Sequence, residues 1–84
     1  MKKINLSLAK NSISDISVFS KLHFKSLKKL YLEKNSIKKI KPLELAKFDK
    51  LERLYLYLNY IDYDQYDILN KLRHKIKDVY FYRD

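Results

Sequence analysis

The sequence predicts an α/β repeat fold, built from short parallel strands joined by short helical connections. Three observations predict it. Asn11, Asn35 and Asn59 stand 24 residues apart. Each closes the same phrase: Leu6-x-Leu8-x-x-Asn11-x-Ile13, Leu30-x-Leu32-x-x-Asn35-x-Ile37 and Leu54-x-Leu56-x-x-Asn59-x-Ile61. The connecting segments keep the same period, so that Ile16, Phe19, Leu22 and Phe24 correspond to Ile40, Leu43, Ala46 and Phe48. Agreement at so many positions sets chance periodicity aside, and a period of this length marks stacked repeats.

Each element follows from its spacing. Side chains alternate across a strand, so Leu30 and Leu32 turn inward together and Tyr31 turns out. Each repeat supplies one such strand, and parallel neighbours need crossover connections. A short helix or helical turn is expected in each crossover. Pro42 suits the first turn of one, where its missing N–H costs little, with Leu45, Ala46 and Phe48 following inside it. The asparagine amide is expected to satisfy backbone groups freed where the chain leaves the strand. With no Gly in the chain, unusual turn angles are also expected to fall to Asn.

The two ends depart from the pattern. Lys3 occupies the place of Leu27, so the first repeat is degenerate at its start, and Ile4 is expected to turn inward instead. No separate capping segment is expected ahead of it. The strand through Leu6 and Leu8 then presents an unpaired edge, which proteins cover or use for pairing. At the other end Tyr66, Leu69, Leu72 and Ile76 recur at helical spacing, with Ile68 nearby, and Asp64 is the expected N-cap. A closing half-repeat follows, Ile76-x-x-Val79-x-Phe81-x-x-Asp84, with Asp84 in the asparagine position.

These phrases resemble the L-x-x-L-x-L-x-x-N-x-L signature of the leucine-rich-repeat family. The fullest matches are Leu27-x-x-Leu30-x-Leu32-x-x-Asn35-x-Ile37 and the same phrase from Leu51 to Ile61. The tail, with Tyr60 after the last Asn, an apolar helix and a strand ending in Asp84, is similar to the C-terminal cap of intracellular members, without the proline residues of that cap. The resemblance covers nearly the whole chain. It implies one domain, 1–84, forming a right-handed α/β solenoid of about 3.5 repeats, at 3–26, 27–50, 51–75 and a half-repeat 76–84. It implies a concave parallel sheet with short helices or helical turns on the convex side. It also implies a non-catalytic binding module acting through that sheet. The family has no common catalytic residue to carry over.

Composition bounds the rest. Eighty-four residues make one small domain, and chains of this size are marginal without staples. There is no Cys, hence no disulfide and no thiolate metal site, which fits a reducing compartment. The N-terminus opens with Lys2 and Lys3 but alternates apolar with polar residues as far as Lys10, so it contains no signal-peptide core. No stretch is long and apolar enough to span a bilayer. The expectation is a soluble, cytoplasmic protein with no membrane partner. Without Gly, phosphate-cradling loops are excluded.

Nineteen Lys plus Arg against ten Asp plus Glu give a net charge of +9. Such a balance favours nucleic acid, anionic membrane or an acidic protein as partner. The lysines are spread along the chain at positions expected to face solvent, so composition and solubility account for much of it.

The outward residues of the strands can be read from the register. The central row is Ser7, Tyr31, Tyr55 and Tyr80, and the next is Ala9, Glu33, Tyr57 and Tyr82. Lys10, Lys29, Lys34, Arg53, Leu58 and Arg83 flank them. Strands about 4.8 Å apart would stack each tyrosine row into a ladder. The candidate partner-binding residues are therefore Tyr31, Glu33, Arg53, Tyr55, Tyr57, Tyr80 and Tyr82. Tyrosine supplies contact area and a hydroxyl at low entropic cost, and Tyr and Arg are enriched at binding hot spots. Tyrosine is also a strong strand former whose cross-strand pairs stabilise a sheet, so stacking alone has a structural explanation.

Three readings of function follow. The first is a protein-binding module using the tyrosine face, with an acidic partner matching the net charge. The second is RNA or single-stranded DNA binding, with rings stacking bases and Lys28-Lys29 or Lys38-Lys39-x-Lys41 meeting phosphates, although no nucleic-acid-binding motif is present. The third is self-association, as a homodimer or structural oligomer, through exposed edge strands. Catalysis is not expected: His23 and His74 are isolated, and repeat geometry spreads Ser, His and acid apart. Asp62, Asp64 and Asp67 form D-x-D-x-x-D, but the Gly and distal Glu of a calcium loop are absent. Helix capping is the simpler role for these acids. No metal or other cofactor is implied.

Overall fold

The computed structural model describes residues 4–82. Four three-residue strands form one parallel sheet in the order β1-β3-β5-β6. They are β1 (Asn5–Ser7), β3 (Lys29–Tyr31), β5 (Arg53–Tyr55) and β6 (Asp78–Tyr80). Their register aligns Leu6, Leu30, Leu54 and Val79, and beside them Ser7, Tyr31, Tyr55 and Tyr80. Parallel neighbours therefore repeat every 24 residues up to β5 and every 25 at the last step.

The crossovers hold more than helical turns. The first contains a 3₁₀ turn, Ser17–Lys21, and a two-residue strand, β2 (His23–Phe24). The second contains α1 (Lys41–Leu45) and β4 (Lys47–Phe48), and β2 pairs with β4 in parallel. This second ladder was not legible as strand, because two residues carry no alternation. Phe24 stacks on Phe48 there, with centroids 5.4 Å apart and planes within 11°. Pro42 lies in the first turn of α1 as expected. The helix stops at Leu45, however. Leu45 is exposed, Ala46 is extended, and Phe48 belongs to β4 rather than to the helix. The third crossover holds a short 3₁₀ turn and then α2 (Tyr66–Lys75). Its buried residues are Leu69 and Leu72, and Ile76 is buried just past its end.

The core is one contiguous cluster. Leu30, Leu32, Leu54 and Leu56 from the strand phrases are fully buried, as are Ile37, Ile40, Leu43 and Ile61. Leu6, Leu8 and Ile13, their counterparts at the first strand, are only partly buried. The expectation that Ile4 turns inward is overturned: Ile4 is 55% exposed. It stands before the strand proper, and its carbonyl accepts from Lys28 N–H at 2.7 Å and Lys29 N–H at 3.0 Å. Lys3, Arg83 and Asp84 lie outside the described residues.

The asparagines act through their side chains, not through their backbone angles. Asn35 Oδ1 accepts from the N–H groups of Asn11 (3.0 Å) and Ile13 (2.9 Å) one repeat earlier. Its Nδ2 donates to the carbonyls of Leu8 (2.9 Å) and Leu32 (3.0 Å). Asn59 repeats the pattern on Ile37 N–H, Leu32 and Leu56. The left-handed angles fall instead on Lys10 (φ 61°), Lys34 (φ 59°) and Leu58 (φ 58°), each just before an asparagine, and on Ser12 (φ 55°). The chain accepts that backbone cost, about 1–2 kcal/mol for each non-glycine residue, where the turn must swing the following amide into the ladder.

Candidate functional site

The outward face of the four-stranded sheet gathers the aromatic residues. Strand pairing sets Tyr31, Tyr55 and Tyr80 in one row, and their rings stack. Tyr31 and Tyr55 are 4.5 Å apart with planes within 9°, and Tyr55 and Tyr80 are 4.6 Å apart within 12°. Centroids at the inter-strand spacing are what a parallel register imposes on identical side chains. The second row departs from a ladder. Tyr57 and Tyr82 are 5.8 Å apart and tilted by 42°, because they stand beyond the strand ends, where pairing no longer fixes the rotamers.

The electrostatics of the face come from close neighbours. Partial withdrawal from water, then the neighbouring Tyr55, raises the Tyr31 hydroxyl above its ordinary value. Withdrawal from water, then the nearby Glu33 carboxylate, does the same for Tyr57. Both shifts favour the neutral phenol. Arg53 is held more firmly protonated, first by the Tyr55 hydroxyl and then by Tyr80. Its Nε lies 4.0 Å from Asp78 of the next strand. Glu33 is half-buried beside the second row, and its Oε1 is buried with no hydrogen-bond partner among the described residues. The face is thus an aromatic centre bordered by charges of both signs: Lys29, Arg53 and Asp78 share one register row, and the Glu33 carboxylate stands beside Tyr57.

Of the seven residues expected to bind a partner, Tyr31, Tyr55 and Tyr80 form one continuous stack, and Arg53 and Glu33 border it. Tyr57 and Tyr82 meet as a tilted pair at one end. One feature beside them was not anticipated. A cleft of about 480 Å³ opens past the second row, lined among others by Leu58, Tyr60, Tyr63, Phe81 and Tyr82. Its signal in the sequence is Tyr60, which follows Asn59 where Ser12 and Ser36 follow the earlier asparagines.

The acidic run after Asn59 has a different role from the one expected. Asp64 does not cap α2: the residue before that helix is Gln65, which makes no side-chain capping bond. Asp62 and Asp64 converge instead on the Lys39 ammonium, at 2.9 and 3.3 Å. The cation they hold is therefore a side chain from the preceding repeat. These carboxylates, Asp62 first, hold Lys39 protonated above its ordinary range. Gln65 and then Lys39 keep Asp64 below the ordinary carboxylate range. Gln65 Oε1 reaches back to Ile40 N–H at 2.9 Å, tying the last crossover to the one before. Among the described residues, no group of three or more His, Cys, Asp or Glu gathers as a metal site.

The isolated histidines stay apart. His23 Nε2 meets Asp49 at 2.9 Å across the β2–β4 pair, and His74 is exposed in the last turn of α2. Of the basic cluster Lys38-Lys39-x-Lys41, Lys39 is engaged by Asp62 and Asp64, and Lys41 by Glu44. No helix among the described residues is long and apolar enough to cross a membrane.

Comparison with curated proteins and with solved structures finds no match. The family model described as leucine rich repeat matches residues 5–61. That span runs from the first residue of β1 to Ile61, two residues past Asn59. The phrase that recurs along it, the parallel strands it forms and the asparagine ladder beside them place this chain in the leucine-rich-repeat family.

Proposed function

We propose that this protein is a non-catalytic interaction module that binds another protein through the tyrosine-bearing face of its sheet. The observation that carries the reading is the continuous stack of Tyr31, Tyr55 and Tyr80 on an open sheet, extended by Tyr57 and Tyr82. Leucine-rich-repeat domains commonly mediate protein–protein interaction. Tyr31, Tyr55, Tyr57 and Tyr80 are half-buried and Tyr82 is exposed, and contiguous aromatic surface left partly open to water on a folded domain usually marks an interface. Pre-stacked rings have little rotamer freedom left to lose on binding.

In this reading the chain is a single domain, a right-handed solenoid of about 3.5 repeats, and the tyrosine face is its concave side. The contact residues are Tyr31, Glu33, Arg53, Tyr55, Tyr57, Tyr80 and Tyr82. The partner is acidic, since the chain carries +9 and Lys29 and Arg53 stand in the row beside the rings, against Asp78 and Glu33 of the opposite sign. Charges at a rim raise association rates more than affinity. The engagement of Lys39 and Lys41 by carboxylates disfavours nucleic acid at that cluster.

The test is affinity capture from native lysate, with and without nuclease, using the wild type beside Tyr55→Ser/Tyr57→Ser. The expected result is a nuclease-resistant protein retained by the wild type alone, with both chains equally folded by circular dichroism. Nucleic acid recovered equally by both would transfer the function to the basic surface and leave the tyrosines as sheet stabilisers.

A further inference from the structure

Among the described residues β1 is the outermost strand at one side of the sheet, and its free edge is a surface in its own right. Ile4 C=O accepts from Lys29 N–H, and Leu8 N–H donates to Tyr31 C=O at 2.8 Å, so both point toward β3. Backbone groups alternate along a strand, which directs those of Asn5 and Ser7 to the unpaired side. Ala9 follows in the same phase. Its carbonyl accepts from Asn11 Nδ2 at 3.1 Å and keeps a second lone pair.

Edge strands are ordinarily guarded by charge, above all by lysine. None of the residues Ile4–Ala9 is charged, in a chain where 35% are. The other three strands of the sheet carry Lys29, Arg53 and Asp78. Behind this edge, Leu6, Leu8 and Ile13 remain partly exposed where Leu30, Leu32 and Ile37 are fully buried.

We propose that this edge pairs with a second copy of the chain, β1 against β1 and antiparallel, about a two-fold axis at Ser7. In that register Ser7 faces Ser7, and each donates its N–H to the other's carbonyl. Asn5 faces Ala9 and exchanges the same pair of bonds, so every outward-directed residue of the segment is used. Leu6 meets Leu8 of the other copy, covering the open end of both cores. Lys10 meets Ile4, so no charge along the segment opposes a like charge. The pairing ends where Lys10 turns away at φ 61°. A slip by one residue would send each leucine to the wrong face. Ser7 lies in the Tyr31 row in both copies, so the joined sheet presents two tyrosine stacks on one side. The pairing does not depend on what those tyrosines bind.

The experiment is sedimentation velocity with light scattering across the micromolar to millimolar range. The wild type is expected to rise from 10.3 kDa toward twice that mass. Ser7→Lys and Ser7→Glu each set like charges opposite one another on the axis. Each is expected to stay monomeric where the wild type is dimeric. Mixed in equal amounts they should regain the dimer, because only a residue on the axis meets itself. Ser7→Pro, which removes an edge-facing N–H and is tolerated in an edge strand, should also be monomeric. Circular dichroism checks that each variant keeps the fold. A wild type that stays at monomer mass overturns the proposal. So does a dimer that survives both charged variants, or a mixture that fails to restore it. All the Ser7 variants retain Tyr55 and Tyr57, so partner capture reports on the tyrosine face separately.

Discussion

Asn35 shows most directly how one residue type holds successive repeats together. It is 4% exposed and the only buried polar residue among those described, and its amide serves donors and acceptors in two repeats at once. Removing it strands the N–H groups of Asn11 and Ile13 and the Leu8 carbonyl, while the Leu32 carbonyl keeps its bond from Asn59. Asn35→Ala is therefore expected to cost about 2–4 kcal/mol, since each buried unsatisfied group costs about 1–3 kcal/mol. Asn11 is exposed, and its own amide makes one bond, to Ala9. Asn11→Ala is expected to cost under about 1 kcal/mol. Urea unfolding of the two variants side by side checks the contrast, and equal losses would refute the ladder as a load on Asn35. The importance of these asparagines was legible in their spacing. Their mechanism was not, because the left-handed turn falls on Lys10, Lys34 and Leu58, residue types that carry no signal for it.

At the scale of elements, legibility follows length and alternation. The strand phrases state their inward leucines outright, and the parallel register aligns Leu6, Leu30, Leu54 and Val79 as the repeat requires. The tyrosine row is legible for the same reason. Residues one step from an inward leucine must face out, and a shared register must stack them. The β2–β4 pair was hidden because two-residue strands have no period. The start of α2 was misread because Asp64 competes for two roles, and Lys39 offers a charged partner where an N-cap offers an amide. Ile4 was misplaced because the first repeat has no neighbour among the described residues to bury it against. The central strands carry the stability. Leu54 is fully buried between β3 and β6, so Leu54→Ala is expected to cost about 2–5 kcal/mol, against a total margin of about 5–15 kcal/mol. Thermal and urea unfolding measure this, and a loss well under that range would mean the sheet core is not the stabilising centre.

For the whole molecule, the tyrosine face bears on stability as well as on the proposed binding. The folded chain raises the pKa of Tyr31 and Tyr57, chiefly by withdrawing them from water. Lys39 is raised by Asp62 and Asp64. A group whose folded pKa lies above its unfolded value gives stability that is full below the unfolded value and is lost as pH rises through the folded one. The melting temperature is therefore expected to fall as pH climbs above about 10, where free tyrosine and lysine titrate. Tyrosinate absorbance should appear late for part of the tyrosine set. Tyr57→Phe should lessen the alkaline loss, and a melting temperature flat to strongly alkaline pH would contradict the partial withdrawal of these hydroxyls from water. The same partly desolvated rings are the ones proposed to meet a partner. The most direct measurement maps the surface: nuclear magnetic resonance shifts of the isotope-labelled chain on addition of the captured partner. Binding through this face would place the largest shifts on the rings of Tyr31, Tyr55 and Tyr80 and on the Arg53 side chain. Shifts confined to Lys38, Lys41 and the crossovers, with the tyrosine rings unmoved, would contradict it.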